Sequence, residues 1–124
     1  MITMVRFTCS GEGYCIPVAS TRGVRMSKDI RMLPGSGADI AGVLPGDPAL
    51  TVLSVLGDGT QVLILELADL RFGLLVGAVT GLCHIDAADI HAVAGSRATF
   101  ITGTVQTDGT LTFVADAHAL AARL

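Results

Sequence analysis

The side chains that could bind a metal ion gather between positions 84 and 91. His84, Asp86, Asp89 and His91 fall within eight positions, and imidazole and carboxylate groups are ordinary ligands of divalent metals. No further anchoring motif accompanies them, and aspartates are also favoured in solvated turns, where they hydrogen-bond to the nearby backbone. The sequence therefore predicts a polar turn, with no metal and no cofactor.

Three cysteines and one serine are the candidate nucleophiles. Cys9 and Cys15 fall near each other across an expected hairpin but form no Cys-x-x-Cys pair, and small buried hydrophobic side chains are the simpler interpretation. Cys83 precedes His84, yet adjacent strand residues point to opposite faces of a sheet, which weakens a thiol–base pair. Ser36 lacks the Gly-x-Ser-x-Gly spacing of a nucleophile elbow. The sequence favours a protein that is not an enzyme.

Composition narrows the class of partner. Of 124 residues, 51% are hydrophobic, and the net charge is −3 with eight scattered basic residues. That balance argues against nucleic-acid binding. No apolar run approaches the roughly 20 residues that span a bilayer, and the N-terminus does not resemble a signal peptide. Three cysteines, an odd number, fit a reducing compartment. We expect one cytoplasmic domain whose apolar surplus lies partly on its surface, where it contacts other proteins.

Alternating apolar residues and glycine turns predict the elements that position these side chains. Hairpins are expected over residues 3–18, 62–76 and 100–115. The turn of the third is Asp108-Gly109, a strong hairpin signal because both residues tolerate positive φ. Many short strands separated by such turns are typical of a sandwich or a barrel.

Two further positions carry local signals. Gly103 interrupts an otherwise strand-like run, which indicates a bend or a close approach of two backbones. Asp116 can cap a short terminal helix over Ala117–Leu124, whose alanines favour helix. Helix is otherwise limited to a single turn at Asp86–Asp89. Helical content should therefore be small.

Seven short segments, taken in order, resemble the CheW-like family, the adaptor proteins that couple chemoreceptors to a histidine kinase. The resemblance covers roughly residues 5–120, and the ordered set is moderately specific although no segment is diagnostic alone. The segments are Val5-Arg6-Phe7, Tyr14-Cys15-Ile16-Pro17-Val18, Ile40-Ala41-Gly42-Val43, residues 62–67 with 72–76, Val79 with Ile90, Phe100-Ile101-Thr102-Gly103, and Val114-Ala115-Asp116 with Leu120.

The resemblance implies a mainly β fold of two small five-stranded β-barrel subdomains that share a hydrophobic core, with short helical pieces. Subdomain one would cover approximately residues 1–56 and subdomain two residues 57–124, with terminal elements crossing between them. It also implies a non-catalytic adaptor. One subdomain would bind the regulatory domain of the kinase, the other would extend a ring, and the cytoplasmic tip of a chemoreceptor would insert between them.

The chain departs from the family pattern as a short and divergent member would. Where the family usually reads Asn-Leu-Arg-Gly, the chain has Pro45-Gly46-Asp47-Pro48, so an aspartate replaces the loop arginine. Val55 stands where an aspartate is usual. Gly77 and Gly23 stand where acidic residues are common. These changes should spare the backbone and alter the contacts with partners.

The resemblance also supplies candidate contact residues. Two other functions remain open: a CheW-like module in another signalling or motility system, and a small-molecule-binding β-barrel. An adaptor predicts exposed apolar patches, whereas a ligand-binding protein predicts a cavity with convergent polar groups. The candidate protein-binding residues are Val18, Thr21, Arg22, Gly23, Gly42, Asp47, Leu82 and Gly103.

Overall fold

Eleven strands and short helical pieces make up the described part of the chain. The computed structural model describes residues 1–35, 37–93 and 99–124, so Ser36 lies outside the described residues. Three short 3₁₀ turns cover Val18–Ser20, Ser27–Asp29 and Ala87–Asp89. In chain order the elements are β1 (Ile2–Cys9), β2 (Glu12–Pro17), β3 (Thr21–Met26), β4 (Ile40–Leu44), β5 (Leu50–Leu53), β6 (Gln61–Leu67), β7 (Leu70–Val76), β8 (Ala78–Ile85), β9 (His91–Ala92), β10 (Ile101–Thr107), β11 (Thr110–Ala115) and α1 (Ala117–Ala121).

The strands form two sheets. A six-stranded sheet has the order β8-β1-β2-β11-β10-β9, and a five-stranded sheet has the order β3-β6-β7-β5-β4. Neighbours are antiparallel except β2 with β11 and β5 with β7, which are parallel. The prediction of a mainly β fold is confirmed. The sheets are open and hold six and five strands, where the resemblance implied two five-stranded barrels.

Sheet membership does not follow a boundary near residue 56. The hairpin β6–β7 belongs to the same sheet as β3, β4 and β5, while the N-terminal hairpin β1–β2 joins the C-terminal strands. The chain therefore passes from one sheet to the other twice, between β2 and β3 and between β7 and β8.

The two sheets follow one plan. In each, an edge strand (β3 or β8) pairs with the first strand of a hairpin (β6–β7 or β1–β2), and the second hairpin strand runs parallel to β5 or β11. An antiparallel partner, β4 or β10, follows. A last antiparallel contact completes the order, made by Arg31 with Val43 in one sheet and by β9 with β10 in the other. The fold thus contains an internal repeat that the amino-acid sequence does not reveal.

Gly42 and Gly103 occupy equivalent positions in this repeat. Each lies at a bulge, in β4 and in β10. A Cβ on Gly42 would collide with the carbonyl oxygen of Arg31, and a Cβ on Gly103 would lie 2.8 Å from the carbonyl oxygen of His91. The close backbone approach predicted at Gly103 is therefore confirmed. The side chains of Ile30 and Ile90 crowd the same two sites.

The predicted hairpins are present, with their turns in the left-handed region. Asp108 and Gly109 have φ of 50° and 76°. Ser10 and Gly11 have φ of 53° and 83°, and Ala68 has φ of 45°. A two-residue turn of this kind matches the right-handed twist of the strands that it joins.

One hydrophobic core is shared by both sheets. It takes Val5, Phe7 and Ile16 from the six-stranded sheet and packs them against the five-stranded sheet and α1. Smaller clusters lie on the opposite faces, one containing Met4 and Cys15 and the other Leu44 and Val52. The remaining members of the shared core are Leu53, Leu63, Leu65, Phe72, Leu74, Val76, Phe100, Ala115, Ala117 and Leu120.

The terminal helix begins at the predicted cap and is shorter than predicted. Asp116 Oδ1 accepts a hydrogen bond from the backbone N–H of His118 at 3.1 Å. The helix ends at Ala121 rather than at Leu124, and Leu120 is fully buried against the shared core. In the part of the chain that the structure describes, no helix has the length and apolar character to cross a membrane.

Candidate docking surface

The residues between positions 84 and 91 form an exposed turn. His84 and His91 are both exposed, and His84 Nδ1 is 3.0 Å from Thr3 Oγ1. Asp86 caps the turn by accepting a hydrogen bond from the backbone N–H of Ala88 at 3.0 Å. Across residues 1–35, 37–93 and 99–124, no group of three or more histidine, cysteine, aspartate or glutamate side chains is placed to hold a metal ion.

The three cysteines are free thiols, and two of them are buried. Cys15 lies opposite Arg6 and Cys9 opposite Glu12 in the first hairpin, so the two thiols do not face each other. Cys9 is buried, with its Sγ 3.4 Å from the carbonyl oxygen of Asp58. Burial raises the pKa of the Cys15 thiol to about 11. A buried thiol with a raised pKa is a poor nucleophile at neutral pH because the thiolate is the reactive form.

Cys83 is less buried than Cys9 and Cys15. Burial raises the pKa of its thiol, and the nearby Arg6 opposes that change. Its sequence neighbour His84 has its Nδ1 next to Thr3 Oγ1, 3.0 Å away. The described atoms at this site therefore supply packing rather than an activated nucleophile.

The candidate contact residues separate into exposed and buried groups. Val18 has 39% of its surface exposed and Leu82 has 61%, and Asp47 is exposed in the loop after β4. Gly42 and Gly103 are buried. Their role is the close backbone approach described above, so they offer no side-chain surface to a partner.

Four of the candidates form one continuous segment at the start of β3. Thr21 Oγ1 donates a hydrogen bond to the carbonyl oxygen of Val18 at 2.8 Å, which closes the 3₁₀ turn between them. Arg22 and Gly23 follow at a bulge in the pairing with β6. Leu82 lies on β8, the edge strand of the other sheet.

The two edge strands meet at Gln61. Gln61 pairs with Met26 at the end of β3, and its Oε1 accepts a hydrogen bond from the backbone N–H of Val79 in β8 at 2.7 Å. A second bond, from Thr60 Oγ1 to the carbonyl oxygen of Gly77, is 2.8 Å long. The Gln61 amide and the Thr60 hydroxyl thus connect the region where β3 ends to the start of β8. These are the two edge strands that carry exposed candidate residues.

Gly77 explains one departure from the family pattern. Its N–H donates to the carbonyl oxygen of Thr8 at 2.8 Å, and a Cβ at this position would lie 2.9 Å from the same oxygen. The close contact leaves no room for the aspartate that is common there.

The exposed Asp47 lines a cleft of about 560 Å³. The other charged residues of its walls are Arg25, Arg71, Glu66 and Asp69, with prolines and leucines between them. The loop arginine that the family pattern expects is absent, yet two strand arginines line the same space. Guanidinium groups recognise carboxylates by paired hydrogen bonds.

Glu66, in the wall of this cleft, forms ion pairs with two arginines. Its Oε2 is 2.9 Å from Arg71 Nη2 and 3.0 Å from Arg22 Nε. The hydrogen bond from Arg71 lowers the pKa of the Glu66 carboxyl most, and the charges of both arginines add to that effect. Glu66 and Arg71 were not among the contact residues predicted from the sequence. The signal was available, since Glu66 and Arg71 face each other across the predicted hairpin.

A sequence model of the CheW-like domain matches residues 46–124. The chain belongs to the CheW-like family. The matched part begins within the divergent loop, at the residue before Asp47, and covers more than half of the chain. Among curated proteins, none matches this chain.

A similarity of fold also covers the part of the chain that the sequence model does not match. The chain is similar to the crystal structure of the scaffolding protein TtCheW from Thermoanaerobacter tengcongensis, with a TM-score of 0.85 and 20% sequence identity. The similarity covers 96% of this chain and 86% of that one. The predicted CheW-like fold is therefore confirmed over residues before position 46 as well.

Proposed function

We propose that this chain is a non-catalytic adaptor in chemotaxis-type signal transduction, which joins the cytoplasmic tip of a chemoreceptor to the regulatory domain of a histidine kinase. Membership of the CheW-like family supports this role, and the structurally similar TtCheW is a scaffolding protein. The adaptor would work in the cytoplasm, at membrane-associated receptor arrays.

The exposure of apolar side chains beside two sheet edges is the observation that carries the proposal. Val18 and Leu82 are both exposed, as are Val24 and Met26 on β3. Exposed apolar side chains along sheet edges are typical of protein contact sites. Among the residues near β3, Met26 lies opposite Gln61 and Val18 precedes the other end of the strand. Hydrophobic contact would supply most of the affinity, and the surrounding polar groups would set the register.

A second cleft bears on the alternative of a small-molecule-binding barrel. It has a volume of about 380 Å³ and is lined by Tyr14, Phe100 and Phe113, with Glu12 as its charged residue. Tyr14 also stacks on Phe7, with ring centroids 5.5 Å apart, so one face of its ring is covered by the core. Ligand sites need several convergent polar groups. The adaptor is therefore favoured over the ligand-binding protein.

Asp47 bears on which partners the adaptor serves. An aspartate repels a carboxylate that the family arginine would attract, and a charge reversal at a desolvated contact can cost several kcal/mol, on the order of 2–5. We therefore infer that the partner presents a basic group to Asp47, or that the chain serves a specialised signalling or motility system.

A binding titration against the kinase regulatory domain and the receptor tip from the same genome tests the proposal. We expect Val18→Asp and Leu82→Asp to weaken binding at least tenfold (about 1.4 kcal/mol), and moderate salt to change it little. Leu111→Asp is the matched control, since Leu111 is 46% exposed but lies on β11. No binding by the wild-type chain, or binding that collapses in salt and ignores both substitutions, would contradict the adaptor.

A further inference from the structure

The four sheet edges differ in their protection against pairing with another strand. Proteins protect edges with short strands, covering segments and charged side chains. β9 has two residues. β4 is covered by Arg31, whose N–H and carbonyl both bond to Val43 at 2.8 Å, and β3 carries Arg22 and Arg25.

β8 has none of these three protections, and its one irregularity is a bulge at Thr80 in the pairing with β1. It is eight residues long, from Ala78 to Ile85, and carries no aspartate, glutamate, lysine or arginine. Thr80, Gly81, Leu82 and His84 are exposed along it. A long, uncharged and exposed edge is where another strand is expected to add.

The hydrogen-bond pattern of the first hairpin, β1–β2, determines which backbone N–H and C=O groups of β1 point toward β8. A two-residue turn closes on a hydrogen-bonded pair, here Cys9 with Glu12. Alternation along the ladder makes Met4 and Pro17 a pair without hydrogen bonds, in agreement with the missing N–H of proline. The N–H and C=O of Met4 therefore point toward β8.

The same alternation continues into β8. Cys83 lies opposite Met4, so its N–H and C=O point back toward β1. The flanking residues Leu82 and His84 must then direct their N–H and C=O groups away from the sheet, to the free edge. These groups are available to a further strand.

We propose that β8 pairs antiparallel with β8 of a second copy of this chain, about a two-fold axis through Leu82. In this register Leu82 faces Leu82 of the other copy, and Thr80 faces His84. Apolar side chains meet at the centre, and a hydroxyl can hydrogen-bond an imidazole on either side. Both copies direct the free N–H and C=O groups of Leu82 and His84 at this contact, and the regular alternation ends at Gly81 because Thr80 lies at the bulge.

The charge pattern favours a second copy as the occupant. Because β8 has no charged side chain, two copies meet without repulsion, whereas the same pairing through β3 would oppose arginines to each other. An isologous two-fold contact also closes after two subunits and does not propagate. The inference does not depend on the proposed function, since it concerns the chain without receptor or kinase.

Sedimentation velocity of the full chain over a range of concentrations tests the pairing. We expect a monomer–dimer equilibrium for the wild-type chain. Leu82→Asp should raise the dissociation constant at least tenfold, because it places two carboxylates directly opposite each other. Val24→Asp is the control, on another exposed apolar position, in the protected edge β3, and it should dimerise like the wild type. A monomer at every concentration, or a dimer that Leu82→Asp leaves intact, would overturn the inference.

Disulfide capture tests the register independently. A directly opposed, hydrogen-bonded pair has Cα atoms about 5.5 Å apart, within the range that a disulfide bridges. In a Cys83→Ser background, Leu82→Cys should form a covalent dimer under mild oxidation, and Val24→Cys should not. Equal cross-linking of both variants would show contact without register and would overturn the proposed pairing.

Discussion

The two sheets share one backbone plan and present different surfaces. Where the five-stranded sheet has Glu66 between Arg22 and Arg71, the equivalent hairpin of the six-stranded sheet pairs Thr8 with Gly13. The bulged edge strands differ in the same way, with two arginines in β3 and none in β8. Gly42 and Gly103 are kept in both. The close backbone contacts at these glycines are thus common to both sheets, whereas the charged side chains are not.

The first prediction tests whether the shared glycines carry the fold. Gly42→Ala should destabilise the chain by about 3 kcal/mol, because its Cβ would meet a backbone carbonyl that cannot move aside, and because φ is 150° there. Gly103→Ala should cost less, about 1–2 kcal/mol, since part of its crowding comes from the Ile90 side chain. Urea unfolding measures both.

Gly37→Ala is the control for these substitutions, because a Cβ there would have no neighbour within 4 Å. It should change the stability by less than about 0.5 kcal/mol. If Gly42→Ala destabilised the chain as little as Gly37→Ala, the close backbone contact that the two sheets share would not contribute to stability.

The second prediction concerns the charge of Asp47, in the cleft of the five-stranded sheet. Asp47→Arg should strengthen binding to the kinase of a standard chemotaxis system at least tenfold, or about 1.4 kcal/mol, because it restores the charge of the family loop. It should weaken binding to the kinase from the chain's own genome. Calorimetric titration measures both. Tight binding of the wild type to the standard kinase, unchanged by Asp47→Arg, would make this position energetically silent.

The third and smallest effect concerns the ion cluster that only the five-stranded sheet has at this place. The Arg71 hydrogen bond keeps the pKa of Glu66 below its ordinary value of 4.5 in the folded chain. The carboxylate therefore contributes stability above pH 4.5, and this contribution is lost as the pH falls through the lower, folded pKa. The stability difference between wild type and Glu66→Gln should be present at pH 7 and shrink in acid.

An Arg71→Met background provides the matched control for this pH dependence. Without its main hydrogen-bond donor, the Glu66→Gln substitution should give a smaller and flatter difference across the same pH range. Urea midpoints at several pH values measure it. A difference that grew as the pH fell would contradict the assigned direction of the pKa change.

Local signals predicted much of this structure. The turns at Asp108-Gly109 and Ala68-Asp69 and the cap at Asp116 each depend on a few adjacent residues, and so the sequence is sufficient to find them. The close approach at Gly103 was readable because a glycine stands alone in a strand.

The sheet order was not predictable in the same way. The parallel contact that places Gly13 beside Thr112 joins residues about a hundred positions apart, and no local pattern specifies it. For the same reason the sequence does not specify that the hairpin β6–β7 lies in one sheet with β3, β4 and β5. Nor does the local pattern show that β1 is buried on both faces, with Met4 in a second cluster on the face opposite Val5 and Phe7.

The candidate site was predicted in part. Exposed Val18 and Leu82 remain predicted contacts, whereas Gly42 and Gly103 stand in the family pattern for reasons of backbone packing. The cluster of Glu66 with two arginines was missed because Arg22 reaches it from β3, whose pairing with β6 is not local.

Reconstituted kinase activity tests the central claim most directly. Receptor tips, the histidine kinase and ATP are combined with and without the purified chain, and autophosphorylation of the kinase is followed. The account predicts that receptor control of the kinase requires the chain, is lost with Val18→Asp and Leu82→Asp, and is retained with Leu111→Asp. Receptor control that is the same without the chain, or that survives both aspartate substitutions, would contradict the account.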